Sequence, residues 1–147
     1  MDSILVLISD EEPNDQLLSA AVQYVSGSDT SVVVCRLVDE ERYRSGIQQD
    51  ARSGAEMNSV AELEESAKAE ALSVSESAFP ADVATTAIGI VGVGPDAVLD
   101  IADEYDCDHV FLAGRKRSPV GKALFGDLTQ QVVLEFDGPV TIVTSDD

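Results

Sequence analysis

The chain has 147 residues, of which 44% are hydrophobic and 5% aromatic, so one domain over residues 1 to 147 with an aliphatic core is expected. Its 28 acidic and 9 basic residues give a formal net charge of −19. Because that charge would repel nucleic-acid phosphates and an anionic membrane over most of the surface, neither is expected as a partner.

The composition also indicates an environment. Lys68, Lys116 and Lys122 are the only lysines against 28 carboxylates, and the acids are spread over every segment. This balance is expected of a cytosolic protein from a high-salt organism; the alternative is an acidic protein with a partner surface that favours acids. Cys35 and Cys107 lack CxxC or CxxH spacing, which indicates a reduced, cytoplasmic compartment. The N-terminal apolar run is too short for a signal peptide or a membrane span.

The first segment predicts a strand, a helix and a second strand. Residues 3 to 9 (SILVLIS) form a continuous apolar run that ends at Asp10, and residues 31 to 38 (SVVVCRLV) are β-branched with polar flanks. Both patterns predict buried strands. Between them, a helix that ends at residues 27 to 29 (GSD) is predicted by apolar residues at helical spacing: Leu17, Leu18, Ala21, Tyr24 and Val25.

The middle of the chain predicts a loop, a long helix and a third strand. Residues 39 to 53 show no period and are expected to form the loop. Pro80 ends the long helix, and residues 81 to 91 (ADVATTAIGIV) predict the strand. One face of the helix is marked by Met57, Val60, Leu63, Ala67, Ala71, Val74 and Ala78.

The last third predicts two further helix-strand units. Residues 92 to 95 (GVGP) form a turn whose Pro95 opens a helix, and residues 109 to 114 (HVFLAG) form a fourth strand. A last helix from about 127 to 136 precedes a fifth strand at 138 to 144 (GPVTIVT). The helix after the turn has a stripe expected to be buried: Val98, Ile101, Ala102 and Tyr105.

This alternation of strands and helices predicts the fold class. Short connections in the order β-α-β-α-β-α-β-α-β favour an open, five-stranded parallel α/β sheet with helices on both faces. If the chain winds one way through strands 1, 2 and 3 and returns for 4 and 5, the strand order is 3-2-1-4-5. Ligands of such sheets bind beyond the carboxyl ends of the strands where the winding reverses, here after Ser9 and Asp10 and after Ala113 and Gly114.

The segment GRKRSPVGKALFGD (114 to 127) lies at that point and has an unusual charge. It holds four of the 9 basic residues within eight positions: Arg115, Lys116, Arg117 and Lys122, hereafter the basic cluster. In a chain of charge −19, such a cluster predicts a site for an anion.

The sequence resembles the universal stress protein family over essentially its full length. The matching features are a hydrophobic first strand ending in Asp10, a second ending in Val38 and Asp39, and the segment GPDAVLDIADEYDCDHVFLAG before the basic cluster. The segment GDLTQQVV and a closing PVTIV complete the match. The resemblance implies a dimeric regulator of the stress response that binds ATP and is not an efficient enzyme.

The resemblance also implies a phosphate-binding loop. The ATP-binding branch of the family carries G-x2-G-x9-G-[S/T]; here Gly114 matches the first glycine and Gly126 the last. Arg117 replaces the second glycine, the spacer is one residue shorter, and Asp127 replaces the Ser or Thr. The backbone N–H groups of glycines and the N-terminus of a helix can bind phosphate. Arg117 removes one position where the backbone could come close to the phosphate, but its guanidinium can donate two hydrogen bonds to it.

The implied nucleotide site has two ends. Asp10 and the backbone of Val38 would serve the adenosine, and Thr129 would offer a hydroxyl to the phosphates. The full set of implied nucleotide-binding residues is Ser9, Asp10, Val38, Ala113, Gly114, Arg115, Lys116, Arg117, Gly126, Asp127, Leu128 and Thr129.

Two interpretations of Asp127 remain open. As the N-cap of the last helix, with Gln130 as its reciprocal partner, it would place a carboxylate where phosphate would otherwise bind. Alternatively, Mg²⁺ between Asp127 and the phosphates would remove the repulsion between them. ATP and Mg²⁺ are therefore the expected cofactors.

Catalysis and assembly can also be predicted. His109 is the only histidine, and no serine elbow is present, so neither a nucleophilic triad nor a histidine-based metal site can be assembled; slow ATP hydrolysis remains open.

The apolar strand at 139 to 144 would form an exposed sheet edge, and the resemblance implies a homodimer paired through it. The alternative function is a nucleotide-independent dimeric module of the same fold whose basic cluster binds an acidic partner.

Overall fold

A computed structural model describes residues 3–8, 15–39, 60–92, 95–115 and 127–145. Strands and helices alternate along the chain in the predicted sequence. The elements are β1 (Ser3–Ile8), α1 (Asp15–Val25), β2 (Ser31–Asp39), α2 (Val60–Ala78), β3 (Thr85–Gly92), α3 (Pro95–Glu104), β4 (His109–Arg115), α4 (Asp127–Glu135) and β5 (Val140–Ser145).

The five strands form one parallel sheet in the order β3-β2-β1-β4-β5. The predicted order 3-2-1-4-5 is therefore confirmed. The winding reverses at β1, whose neighbours are β2 on one side and β4 on the other, and β3 and β5 lie at the two edges.

Each face of the sheet is covered by two helices. In β1, Ile4, Val6 and Ile8 pack with α1 and α2, whereas Leu5 and Leu7 pack with α3 and α4. All five side chains are buried. A strand covered on both faces needs apolar residues at every position, which is why the run is continuous rather than alternating.

Helix α2 lies directly against the backbone of β3. Its small residues Ala67 and Ala71 are buried. A Cβ placed on Gly89 would meet α2 backbone atoms, including the nitrogen of Lys68, the carbonyl oxygen of Glu64 and, at 2.8 Å, the carbonyl carbon of Ala67. The glycine therefore permits a helix-to-strand approach that any side chain would prevent.

Several predicted strand boundaries differ from the structure. Strand β2 includes Asp39, which was expected to begin a loop. Strand β3 begins at Thr85 rather than at 81, because the amide of Val83 bonds to the carbonyl of Pro80 in a turn (3.1 Å). Strand β5 begins at Val140 rather than at 138. The rest of the predicted loop, residues 40 to 53, and Met57 lie outside the described residues.

The prediction that Tyr105 belongs to the buried stripe of α3 is wrong. The helix ends at Glu104, and Tyr105 is 37% exposed. Asp106 adopts a left-handed φ of 55°, and the amides of Cys107 and Asp106 bond to the carbonyls of Ala102 and Asp103 (2.7 and 3.2 Å). This is a Schellman C-cap with Asp in the position usually taken by Gly.

No helix within the described part of the chain is both long enough and apolar enough to cross a membrane.

Candidate functional site

The hydrogen-bonded ladder between β1 and β4 ends early. It covers Ile4↔His109, Leu5↔Val110 and Val6↔Phe111, although β1 continues to Ile8 and β4 to Arg115. The flanking ladders do not stop there, since β1 pairs with β2 as far as Ile8↔Arg36, and β4 pairs with β5 as far as Arg115↔Ser145. The sheet therefore opens between β1 and β4 toward its carboxyl edge.

The helices on either side of this opening lie on opposite faces. Helix α1, which follows β1, packs on the same face as α2, and α4, which follows β4, packs on the same face as α3. The opening is thus the crevice expected where the winding of an open α/β sheet reverses. We call it the β1/β4 crevice.

Several predicted site residues lie at its borders. Val38, near the end of β2, is partly buried, and so is Ala113 near the end of β4. Gly114 and Arg115 close β4 in register with Thr144 and Ser145 of β5. Because β2, β1 and β4 are adjacent and parallel, these strand ends share the carboxyl edge of the sheet.

Helix α4 begins at Asp127, as predicted, and Leu128 and Thr129 belong to its first turn. Thr129 is partly buried. A helix that follows a strand in this topology begins at the carboxyl edge, so the positive end of α4 is on the same side of the sheet as the crevice. Ser9, Asp10, Lys116, Arg117 and Gly126 lie outside the described residues, and their implied roles stay predictions.

One polar residue at this edge was missed by the sequence analysis. Arg36 on β2 is only 6% exposed, and its Nε donates to Oε2 of Glu70 on α2 at 2.7 Å. Its Nη1 donates to the carbonyl oxygens of Leu37 (2.8 Å) and Ile8 (3.4 Å). The available signal was a single charged residue within the otherwise apolar run SVVVCRLV, since a buried cation requires partners.

His109 is buried and satisfied on one side, and it lies at the opposite edge. It opens β4, whereas the crevice lies at that strand's other end. Its Nε2 is 2.8 Å from Oγ1 of Thr141, and its ring stacks on Phe111 with Tyr24 against its edge. This environment fits a structural histidine.

The two cysteines are unsuited to nucleophilic chemistry. Burial, with a smaller contribution from Cys107, raises the pKa of Cys35 to about 12. Burial followed by the charges of Asp108 and Asp106 raises the pKa of Cys107 to about 11. Both thiols are therefore protonated at neutral pH, and the thiolate is the reactive form.

Metal ligands are not clustered in the part of the chain that the structure describes. Those residues contain no group of three or more His, Cys, Asp or Glu side chains that could hold an ion.

Comparison with known proteins agrees with the sequence resemblance. The family model described as "Universal stress protein family" matches residues 1–144. None of the curated proteins is similar enough in sequence to match.

The fold is similar to that of solved structures of low sequence identity. A universal stress protein from Archaeoglobus fulgidus is 22% identical with a TM-score of 0.63, and the match covers 97% of this chain and 98% of that one. The universal stress protein from the same organism in complex with dAMP is 17% identical with a TM-score of 0.57, and the match covers 97% of each chain. A universal stress protein in complex with cAMP is 16% identical with a TM-score of 0.54, and the match covers 99% of this chain and 100% of that one.

Proposed function

Because the chain belongs to the universal stress protein family, we propose that it binds adenine nucleotides, ATP in particular, in the β1/β4 crevice and acts as a regulator of the stress response. The observation that carries this proposal is the early end of the β1–β4 ladder at Val6↔Phe111, which opens the sheet where a ligand is expected. Two structures of the same fold are named as complexes with dAMP and cAMP, and both ligands contain adenine.

The phosphate end of the proposed site is the segment after β4. Gly114 and Arg115 end that strand, Arg115 is the first member of the basic cluster, and α4 begins at Asp127 beyond the cluster. The chain has a net charge of −19, but this segment carries the basic cluster and would attract an anion. Cations and the positive helix end together can offset the negative charge of the phosphates.

This site could hold Mg²⁺ only when a bound phosphate supplies further ligands. The described residues hold no carboxylate cluster that could bind the ion by itself. Asp127 would supply one oxygen ligand and the nucleotide phosphates the others, which is a common arrangement for Mg²⁺ in nucleotide sites.

Catalysis is expected to be slow at most. His109 lies at the amino edge of the sheet, and the raised pKa values of Cys35 and Cys107 keep their thiols neutral. We propose that bound ATP acts as a signal, and phosphate release faster than about one turnover per second, within the ordinary enzyme range, would contradict this.

The test of binding is calorimetric titration with ATP, with and without Mg²⁺, at about 1 M KCl, where screening limits long-range repulsion to about 3 Å. Binding is expected, and Arg117→Gln should weaken it. Lys68→Gln is the matched control, because it removes the same charge from an exposed position on α2. Absence of heat at millimolar ATP would overturn the proposal, and equal weakening in both variants would assign the effect to net charge.

Asp127 can be tested in the same titration. If it repels the phosphates, Asp127→Ser strengthens Mg²⁺-free binding, while unchanged affinity would identify Asp127 as a helix cap only.

The departures at Arg117 and Asp127 favour a second candidate function, a nucleotide-independent dimeric module whose basic cluster binds an acidic partner. That candidate predicts no ATP binding in any variant.

We further propose a homodimer formed through β5. This strand is an edge of the sheet, and its Val140 and Ile142 are only partly buried. An edge strand has free backbone donors and acceptors on one side, which a second copy can pair with. Light scattering at high KCl should give a dimeric mass, and a monomeric mass would refute this assembly.

A working environment of high-salt cytoplasm also belongs to the proposal. It is supported by the excess of 28 acidic over 9 basic residues.

A further inference from the structure

Strand β3 forms the edge of the sheet opposite β5, and β2 is its one partner among the described strands. All eight of its residues, Thr85–Gly92, pair with β2 in unbroken register. Its sequence, TTAIGIVG, has no charged residue and no proline. Sheet edges are commonly protected from other strands by charges, by proline, by a bulge or by short length, and β3 has none of these four features.

The backbone groups of β3 alternate between β2 and the outer edge. The amide of Val32 on β2 donates to the carbonyl oxygen of Ala84, which sets the phase of the parallel ladder. The even-numbered residues of β3, starting with Thr86, therefore bond to β2, and the odd-numbered residues direct their N–H and C=O groups away from it. The outward residues are Thr85, Ala87, Gly89 and Val91.

This outer edge reaches the surface of the protein. Residues 87 to 91 are each partly exposed. Gly89 is the clearest case, because it has no side chain and its α2 side packs against helix backbone. The surface that Gly89 exposes is therefore main chain.

Apolar side chains flank the edge on both faces of the sheet. On the α3 face, Ile88 and Ile90 pack against the core but stay partly exposed. On the other face, Leu72 of α2 is 49% exposed. Glu70 reaches inward from α2 to β2, and a helix turns by about 200° over two residues, so Leu72 points to the outer side, over the β3 edge.

The charge around the edge is negative. Asp82 precedes β3, Asp96 follows it, and Glu64 lies on α2 with its carbonyl oxygen beside Gly89. All three carboxylates are on exposed residues. Lys68 is the one cation on the same stretch of α2, so an occupant with basic side chains would fit these surroundings better than an acidic one.

A second copy of the chain suits this edge less well than another protein does. Each copy carries a net charge of −19. In addition, β5 is the edge proposed to join two copies, and a second self-pairing edge would add copies without closure. A strand from a different protein can pair with β3 at each end of a β5-linked dimer.

We propose that the β3 edge is a docking site for an extended segment of a partner protein, with alternating basic and apolar residues, that adds to the five-stranded sheet as a further strand. Main-chain hydrogen bonds to the outward residues supply affinity, and Ile88, Ile90 and Leu72 contact alternate side chains of the segment. This function is separate from nucleotide binding, because it uses an edge of the sheet two strands away from β4.

Hydrogen exchange tests the edge directly, with a short synthetic peptide of alternating lysine and valine, acetylated and amidated at its ends, as the probe. In the free protein at about 1 M KCl, the outward amides should exchange faster than their even-numbered neighbours. Saturating peptide should slow the outward amides and leave the others unchanged. Outward amides that are already protected in the free protein would show that the edge is covered, which would overturn the proposal.

A variant of one outward residue tests the hydrogen bonds. Ala87→Pro removes an N–H that faces away from β2 and leaves the donors of the ladder intact, since proline is tolerated at such edge positions. It should weaken peptide binding about tenfold, the effect of leaving one partner group unpaired. Ala87→Val, which has similar bulk and keeps the N–H, is the matched control and should bind the peptide as the wild type does.

The peptide supplies a second test that does not depend on the folding of Ala87→Pro. N-methylation of two adjacent central amides removes a donor from each edge of the peptide and keeps its charge, so this form should bind at least about tenfold more weakly. Equal binding of both peptides would identify simple charge attraction and overturn the proposal. A mass above that of a dimer, abolished by Ala87→Pro, would assign the edge to a second copy and overturn the choice of partner.

Discussion

His109 is a buried polar side chain with an incomplete set of partners. Its Nε2 has Thr141, but its Nδ1 is buried with no hydrogen-bond partner among the described residues. Burial lowers the pKa of the imidazole, and the nearby charge of Asp108 opposes that shift in part. The neutral ring is therefore the form that fits between Phe111 and Tyr24.

This pKa shift makes the free energy of unfolding depend on pH. The histidine of the unfolded chain, with a pKa of about 6.5, takes up a proton before the folded one does. Stability contributed by the neutral ring is present above that value and is lost as the pH falls toward the lower, folded-state pKa. Urea unfolding from about pH 8 to about pH 5 should show this loss, and His109→Gln should reduce its slope. Equal slopes in both proteins would contradict the assignment.

At the scale of residues, the local sequence predicted where a helix begins but not which distant residues form hydrogen bonds with each other. The start of α4 at Asp127 was predicted because capping chemistry is local. The bond between Arg36 and Glu70 joins residues 34 positions apart, and that between His109 and Thr141 joins residues 32 apart. Neither pair can be deduced from neighbouring residues, because the sheet brings them together.

Among the elements, α2 and β3 are in such close contact that no side chain fits at Gly89. Gly89→Ala would force the new methyl group against the helix backbone, which cannot rotate away as a side chain can. We expect the free energy of unfolding to fall by about 1 to 3 kcal/mol, the usual range for overpacking. Chemical denaturation measures this, with Thr86→Ala, at an exposed position of the same strand, as the control. Equal effects would show that α2 can move away from the sheet.

The types of the elements were predictable, whereas some of their ends were not. Apolar runs predicted the buried strands and helical periodicity predicted α2, because both patterns reflect burial on regular elements. The start of β3 at Thr85 depends on its pairing with Val32, more than 50 positions earlier. Tyr105 continues the spacing of α3, but the helix ends at Glu104 and the chain turns at the residue after Tyr105, Asp106, which lacks the usual glycine signal for such a cap.

For the whole molecule, the net charge of −19 is expected to make stability depend on ionic strength. Repulsion among carboxylates disfavours the compact state at low ionic strength and is screened as salt rises, with a Debye length of about 10 Å at 0.1 M and about 3 Å at 1 M. The melting temperature should therefore rise with KCl over this range. A melting temperature that stays constant or falls would contradict the proposed adaptation to high salt.

The architecture and the location of the crevice could be predicted, but the details of the site could not. Strand-helix alternation specifies a parallel sheet, and the reversal of its winding specifies where a ligand site should be. The early end of the ladder at Val6↔Phe111 has no counterpart in the sequence, since Leu7, Ile8 and Leu112 continue both apolar runs. The roles of Asp10 and Arg117 stay predictions.

The short β1–β4 ladder also divides the sheet into two blocks, one of three strands and one of two, joined by three residue pairs near the amino edge. Both core clusters cross this seam, since Phe111 packs with Ile4 on one face and Leu112 with Leu5 on the other. The two blocks are therefore joined by ladder pairs only on the amino side of the seam, and beyond Val6 and Phe111 they are held together by side-chain packing such as that of Leu7 and Leu112 in one core cluster.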